Sequence, residues 1–210
     1  MSHNIVLLGD SVFDNAAYVP GQSCVTEQLR AIMGPDNEVL MLAVDGHFLI
    51  DVHGQLQRVP ERATHLFVSA GGNDALSQYE MLFAECADSQ ELFKEWSCIQ
   101  AGFRRDYRNM LEAVVSLNRH TAVCTVYDAV PGVAPFAITA LSLFNDVIVA
   151  EAVAAGISII DLRRVCTEAQ DFSSVSPIEP TWQGGAKIAA VLKRVAEGHR
   201  PGGGRCVVYT

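Results

Sequence analysis

The stretch that decides the fold is IVLLGDS, residues Ile5–Ser11, in which an apolar run ends in a small polar turn. Four apolar residues without alternation are typical of a strand that is covered on both faces, as parallel strands joined by helices are. A serine directly after such a strand lies at the end of the sheet where α/β folds bind their ligands. The stretch therefore predicts an α/β fold and places Ser11 near a functional site.

Short apolar runs and longer amphipathic stretches alternate along the rest of the chain. Besides Ile5–Leu8, the predicted strands are Val39–Ala43, His65–Ser69, Ala122–Val126 and Ile157–Ile160, with an edge strand at Cys206–Tyr209. Helical spacing and stop signals predict helices at Cys24–Met33, Phe48–Leu56, Glu91–Leu117, Pro135–Ala155 and Gly184–Glu197. We therefore expect residues 1–210 to form a single domain, a three-layer α/β/α sandwich around a central parallel sheet of about five strands.

The composition narrows the classes of partner. The chain has 210 residues, half of them hydrophobic and 19% charged, and its net charge is −9. A chain of this length can bury a substantial core. Nucleic acids and anionic membrane surfaces attract concentrated positive charge, which this sequence lacks. We therefore expect no nucleic-acid partner and no membrane partner.

The spacing of the cysteines and histidines does not indicate a disulfide framework or a metal site. The six cysteines are widely spaced and form no Cys-x-x-Cys pair, which favours free thiols in a reducing cytosol. Neither residue type clusters at metal-ligand spacing, and no Gly-x-Gly-x-x-Gly follows the first strand, so we expect no metal and no cofactor. The first residues match neither a signal peptide nor a membrane span, and we expect a cytoplasmic protein.

Small and polar residues follow each of the first three predicted strands. Gly9–Ser11, Asp45-Gly46 and Gly71–Asp74 come directly after strands one, two and three. Because the carboxyl ends of parallel strands meet at one edge of the sheet, these loops should converge there. Each loop alone is also typical of a simple structural turn: Ser11 could cap a helix, and Asn73 could form an Asx-turn.

Together, in this order, the loops resemble the SGNH hydrolase (GDSL esterase/lipase) family, whose fold is flavodoxin-like. Gly9–Ser11 matches the block that carries the family's nucleophile, and Gly46 stands where the second block supplies a glycine. Gly71–Asp74 matches the third block, Gly-x-Asn-Asp. The stretch Pro180–Ala189 resembles the helix that follows the family's last block, so the resemblance covers nearly the whole chain.

The resemblance implies a reaction and an assignment of residues. Ser11 would attack an ester carbonyl to form an acyl-enzyme, which water then hydrolyses. The backbone N–H groups of Ser11 and Gly46 and the side-chain amide of Asn73 would line an oxyanion hole. The expected substrate is a small-molecule ester with an acetyl or other short acyl group. Further candidate substrate contacts are Asp10, Asn15, His47 and Trp182.

The last block departs from the family's Asp-x-x-His-Pro. Here the matching residues run from Ser176 to Pro180, with Glu179 in place of the histidine. One hypothesis makes Glu179 the base. A histidine that takes a proton becomes a cation and uses an aspartate to stabilise it, whereas a carboxylate that takes a proton becomes neutral and needs no counter-ion. The joint loss of Asp and His is therefore chemically coherent.

Other interpretations of the missing histidine and aspartate are possible. His47 follows Gly46 directly and could act as the base, and His53 lies further along the same predicted helix. Efficient hydrolysis could also be lost, which would leave an inactive SGNH-fold protein that binds an acylated small molecule. A flavodoxin-like nucleotide binder would share the same fold class.

Overall fold

The computed structural model of the chain describes residues 2–83, 88–198 and 206–210. Within these ranges six parallel strands form one sheet in the order β2-β1-β3-β4-β5-β6. They are β1 (Asn4–Gly9), β2 (Glu38–Met41), β3 (His65–Ser69), β4 (His120–Cys124), β5 (Ser158–Ile160) and β6 (Val208–Tyr209). The first strand lies between β2 and β3, and its Ile5 is in register with Val39 of β2 and with His65 of β3.

Helices follow each of the first five strands. They are α1 (Val25–Met33), α2 (Leu49–Leu56), α3 (Gly72–Leu76), α4 (Ser89–Ser116), α5 (Pro135–Ala154), α6 (Leu162–Val165) and α7 (Trp182–Gly198). The chain also forms three short 3-10 helices, Ala16–Tyr18, Tyr79–Phe83 and Ala169–Asp171. By length and composition alone, α5 could cross a membrane, but core helices pass the same test, so this is weak evidence.

The sheet is covered on both faces, which confirms the three-layer architecture. Alternate residues of β1 point to opposite layers, as the pleat of a strand requires. Ile5 and Leu7 pack into a core formed with α1 and α7, while Val6 and Leu8 pack into a second core formed with α2, α4 and α5. The unbroken apolar run at the start of the chain is thus explained by burial on both sides.

Several element boundaries differ from the sequence-based expectation. The fourth strand is His120–Cys124 rather than Ala122–Val126, and the long helix begins at Ser89, where the Asp88 carboxylate accepts a hydrogen bond of 2.8 Å from the Glu91 N–H. The short helices α3 and α6 were not predicted because each spans too few residues to show a helical period. The described cysteines are free, while Cys86 lies outside the described residues.

One glycine sets how closely the loops after β1 and β3 approach each other. Gly9 has a φ of +118°, and a Cβ at this position would lie 1.7 Å from the carbonyl oxygen of Ser69. That carbonyl accepts a hydrogen bond of 3.0 Å from the N–H of Asp10. Since only glycine fits here, the two strand ends meet without a side chain between them. The approach brings the Asp10-Ser11 turn beside the loop that carries Asn73.

Candidate active site

The hydroxyl of Ser11 and the carboxylate of Glu179 form the centre of the site. Ser11 Oγ donates a hydrogen bond of 2.9 Å to Glu179 Oε1. The two residues are 168 positions apart in sequence, and both side chains are buried, Glu179 with only 4% of its surface exposed. They meet because α7, which follows Glu179, packs against α1, which follows Ser11. A nucleophile and a hydrogen-bonded base are the minimum that covalent ester chemistry needs.

Glu179 lies in a short irregular loop whose hydrogen bonds hold the Glu179 backbone in place. Phe172 and Pro180 form an antiparallel bridge across the loop. Inside this bridge, the Ser173 N–H donates to the Glu179 carbonyl at 2.8 Å, and the Glu179 N–H donates to the Ser176 carbonyl at 3.0 Å. Both polar groups of the Glu179 backbone are therefore satisfied within the loop, which holds the backbone that carries the side chain.

Two buried side chains attach this loop to the rest of the molecule. Tyr127 lies in the loop after β4, and its hydroxyl donates a hydrogen bond of 2.5 Å to the carbonyl of Ile178. Asn15, which is 0% exposed, donates from Nδ2 to the Pro180 carbonyl at 3.0 Å and accepts from the N–H of Val25 at 2.9 Å. Asn15 was expected to contact substrate, but its amide is buried and used by the backbone. The structure therefore gives Asn15 a positioning role.

The environment of Glu179 favours its neutral form. Burial raises the pKa of this carboxyl to about 8, and the hydrogen bond from Ser11 opposes the rise. The negative charges of Asp10 and Asp45 raise the pKa further. The second oxygen, Oε2, is buried and has no hydrogen-bond partner among the described residues. A carboxyl in such surroundings holds a proton more readily than an exposed glutamate does.

Two further carboxyl groups lie at the same end of the sheet. Burial raises the pKa of Asp10 to about 7; a hydrogen bond from the Val12 N–H opposes the rise, and the charges of Asp74 and Asp45 add to it. Burial likewise raises the pKa of Asp74 to about 6, although this carboxylate accepts a hydrogen bond of 3.1 Å from the Leu49 N–H. Asp10 lines the cavity described below, as the expected substrate contact requires.

The three expected oxyanion donors lie on adjacent loops. In the described part of the chain, the N–H groups of Ser11 and Gly46 donate to no protein acceptor. Gly46 has a φ of +79°, in a turn closed by the His47 N–H on the Val44 carbonyl at 3.2 Å. Asn73 Nδ2 donates to the carbonyl of His47 at 2.9 Å. Because an amide nitrogen carries two hydrogens, one donor of Asn73 remains for a ligand.

The other candidate residues form no hydrogen bond with Ser11 in the described part of the chain. The Nδ1 atom of His47 lies 3.0 Å from Nε2 of Gln55, a residue that also binds both backbone groups of Gly9. His53 lies in α2, and neither histidine forms a hydrogen bond with Ser11 or borders the cavity. Trp182 is the first residue of α7, is 45% exposed and does not border the cavity either. Ser11 is thus brought together with Glu179 and not with a histidine.

The site opens into an apolar cavity. Its volume is about 170 Å³, and Asp10, Ser11, Asn73 and Glu179 supply polar groups to its wall. Most of the remaining wall comes from apolar side chains of the α3 region, α4, α5 and the loop before α5. A signal for this wall in the sequence is the apolar stretch that leads into α5, which sequence alone does not distinguish from a core helix or an interface. Among the described residues no group of three or more metal-ligating side chains is present.

Comparison with known proteins identifies the fold. No family model and no curated protein matches the sequence. Among solved structures, an extracellular lipase from Streptomyces rimosus shares 18% identity at a TM-score of 0.68, with 91% of this chain and 99% of that one covered. An acetyl xylan esterase from Geobacillus stearothermophilus shares 11% at 0.67, covering 96% and 97%. A member of the lipolytic G-D-S-L family from Veillonella parvula shares 17% at 0.65, covering 92% and 97%. The chain therefore has the SGNH hydrolase-like fold that its three loops indicated.

Proposed function

We propose that the protein is a serine ester hydrolase in which Ser11 is the nucleophile and Glu179 is the base. The hydrogen bond of 2.9 Å from Ser11 Oγ to Glu179 Oε1 carries this proposal. The N–H groups of Ser11 and Gly46, which lack protein acceptors in the described part of the chain, support it. Proteins of the same fold that are named lipase and acetyl xylan esterase support the reaction class.

In the first half of the reaction, Ser11 Oγ forms a bond to the ester carbonyl carbon, and its proton passes to Glu179 Oε1. The carbonyl oxygen becomes an oxyanion, which accepts hydrogen bonds from the N–H donors and from the Asn73 amide. The intermediate collapses when the bond to the leaving alkoxide breaks. That alkoxide takes the proton from Glu179 and departs as an alcohol, leaving an acyl group on Ser11.

In the second half, a water molecule takes the place of the alcohol. Ionised Glu179 accepts a proton from this water as its oxygen bonds to the acyl carbon. The bond from the acyl carbon to Ser11 Oγ then breaks, and Ser11 recovers its proton from Glu179. The acid is released, and both residues return to their starting states. One carboxyl group thus serves both proton transfers.

The charges around the site explain how a lone carboxylate can act as base. When Glu179 takes a proton it becomes neutral, and a neutral group is the form that burial favours. No lysine, arginine or histidine is present among the described residues that line the cavity, so no cation stabilises the ionised form there. The raised pKa of about 8 makes ionised Glu179 a stronger base than an ordinary glutamate, whose pKa is about 4.3.

The test compares wild type with Ser11→Ala and Glu179→Gln. We expect a fluorophosphonate probe to label the wild-type protein at Ser11, and we expect both variants to lose labelling. Hydrolysis of p-nitrophenyl butyrate should fall by about 10²–10⁴-fold in Glu179→Gln, the usual contribution of a general base. Glu61→Gln, a change at an exposed carboxylate, is the matched control and should behave as wild type.

The other outcomes assign different roles. Full activity in Glu179→Gln together with loss in Ser11→Ala would show that Glu179 is not the base. If the wild-type protein is neither labelled nor active on any ester, the proposal fails, and the alternative of a protein that binds an acylated small molecule gains support.

A further inference from the structure

We propose that the apolar cavity beside Ser11 holds the acyl chain of the substrate, so that the protein prefers esters of a medium-length acyl chain over acetyl esters. This proposal rests on the ester hydrolysis proposed above and names the substrate class of the same site. It replaces the short acyl group expected from sequence with a longer one.

The side chains that line the cavity are mostly apolar, which suits an acyl chain. The reacting groups Ser11 and Glu179 line the same cavity as Trp96 of α4, Ile138 and Phe144 of α5, and Leu82. A chain bound at Ser11 therefore has apolar side chains around it on several elements. Each methylene that moves from water into such surroundings contributes favourably to binding.

The size of the cavity sets the length of the chain. Its volume is about 170 Å³. An apolar cavity of about 150 Å³ accommodates benzene, so a chain of about six carbons would fill the one seen here. An acetyl group would leave most of the wall without contacts, and those contacts are the source of binding energy.

The charges of the wall favour a neutral chain. Asp10 and Glu179 are the carboxyl groups among the described lining residues, and lysine, arginine and histidine do not occur among them. An anionic group inside the cavity would therefore meet no counter-charge. After hydrolysis the product acid ionises beside these two carboxyls, and the repulsion between like charges favours its release.

The mouth of the cavity is also apolar. Leu76, Tyr79 and Ile178 line the cavity and at the same time expose between about a third and a half of their surface. Phe136, at the start of α5, is 50% exposed, and its neighbour in sequence, Ala137, lines the cavity. A chain longer than the cavity would extend over this rim and remain half in water. Additional carbons beyond the cavity should therefore add little.

The test measures kcat/KM for p-nitrophenyl esters of acetate, hexanoate and dodecanoate. We expect hexanoate to exceed acetate by about 100-fold, at roughly threefold for each added methylene, and dodecanoate to gain no more than a few-fold over hexanoate. Ala140 lines the cavity, so the Ala140→Phe variant fills it, and the ratio of kcat/KM for hexanoate to kcat/KM for acetate should fall at least tenfold. Ala137→Leu is a second, smaller filling change in case the first does not fold.

Ala154→Phe is the matched control, because Ala154 is exposed at the end of the same helix and does not border the cavity. It should keep the chain-length preference of wild type. Faster hydrolysis of acetate than of hexanoate, with no effect of Ala140→Phe or Ala137→Leu, would overturn the acyl-chain proposal and leave the hydrolase proposal standing. If no ester is hydrolysed and Ser11 is not labelled by a fluorophosphonate, both proposals are overturned.

Discussion

The protonation state of one side chain, Glu179, controls the proposed reaction. The carboxylate must be ionised to accept the proton of Ser11, yet burial and the nearby charges of Asp10 and Asp45 raise its pKa to about 8. At pH 7 only about one tenth of the molecules would then carry the reactive form. A histidine base, with an ordinary pKa of about 6.5, would be mostly in its neutral, proton-accepting form at the same pH.

We therefore predict that kcat/KM rises about tenfold per pH unit below pH 8 and levels off above it. The measurement is a pH profile from pH 6 to 9.5 with an activated ester. Asp45→Asn removes one of the charges that raise the pKa of Glu179, and it should move the midpoint to lower pH. A midpoint near 6.5 that does not respond to Asp45→Asn would point to a histidine base instead.

The sequence predicts the identity of the central residues but not their surroundings. Ser11, Asn73 and Glu179 could be placed by their order along the chain and by the family's blocks. The unpartnered Oε2 of Glu179 and the buried amide of Asn15 could not, because both depend on contacts with residues far away in the sequence. Burial and hydrogen bonding are properties of the assembled loops, and these properties set the pKa.

At the scale of an element, the loop before α7 is a support for one carboxylate. It contains no helix and only the bridge between Phe172 and Pro180, so its shape depends on hydrogen bonds within the loop and on a few from outside. The Tyr127 hydroxyl supplies one of them, to the carbonyl of Ile178, directly before Glu179 in the chain. Tyr127 is buried, and its own aromatic ring packs edge-on against Phe172 at 5.1 Å between ring centres. The ring thus stays in place if the hydroxyl is removed.

We predict that Tyr127→Phe lowers kcat about tenfold with little change in KM, because Glu179 loses its fixed direction while the acyl cavity keeps its shape. The rate of fluorophosphonate labelling at Ser11 should fall in parallel. Tyr79→Phe is the control, since Tyr79 lines the same cavity but is half exposed. An unchanged kcat, or a rise in KM of the same size, would show that the hydroxyl does not position the base.

Regular elements were more predictable than the irregular ones. The long amphipathic helix follows from its helical period, and the buried strands follow from short, unbroken apolar runs. The loop that holds Glu179 and the short helix α3 have no period, and their shapes come from tertiary contacts such as the bridge between Phe172 and Pro180. The residues that determine the shapes of this loop and of α3 are therefore far apart in the sequence.

At the scale of the whole molecule, the parallel sheet collects several carboxyl groups at one end. Burial raises the pKa of Glu179 to about 8, of Asp10 to about 7 and of Asp74 to about 6. In each case the folded protein holds its proton to a higher pH than the unfolded chain does. Their contribution to stability is therefore fully present below the unfolded pKa of about 4 and is lost as pH rises to about 8.

Carboxylates paired with arginine act in the opposite direction. The guanidinium groups of Arg108 and Arg104 lower the pKa of Glu151, and Arg62 lowers that of Glu38. Their contribution is present above the unfolded pKa and is lost as pH falls through the folded one. The two sets together place the maximum of stability near the unfolded carboxyl pKa of about 4, below neutrality, where in the folded protein the sheet-end carboxyls are protonated and the paired carboxylates are still ionised.

We predict that Tm falls between pH 5 and pH 8.5 and that Glu179→Gln removes part of this fall. Glutamine is neutral at every pH, so the variant should be more stable than wild type at pH 8.5, by about 5 °C, and no more stable at pH 5. Thermal melts at both pH values measure this difference. Glu61→Gln, at an exposed carboxylate, should follow the wild-type curve. An equal shift of the Glu179→Gln melting temperature at both pH values would contradict a raised pKa, because only a group that titrates between them makes the effect of its removal depend on pH.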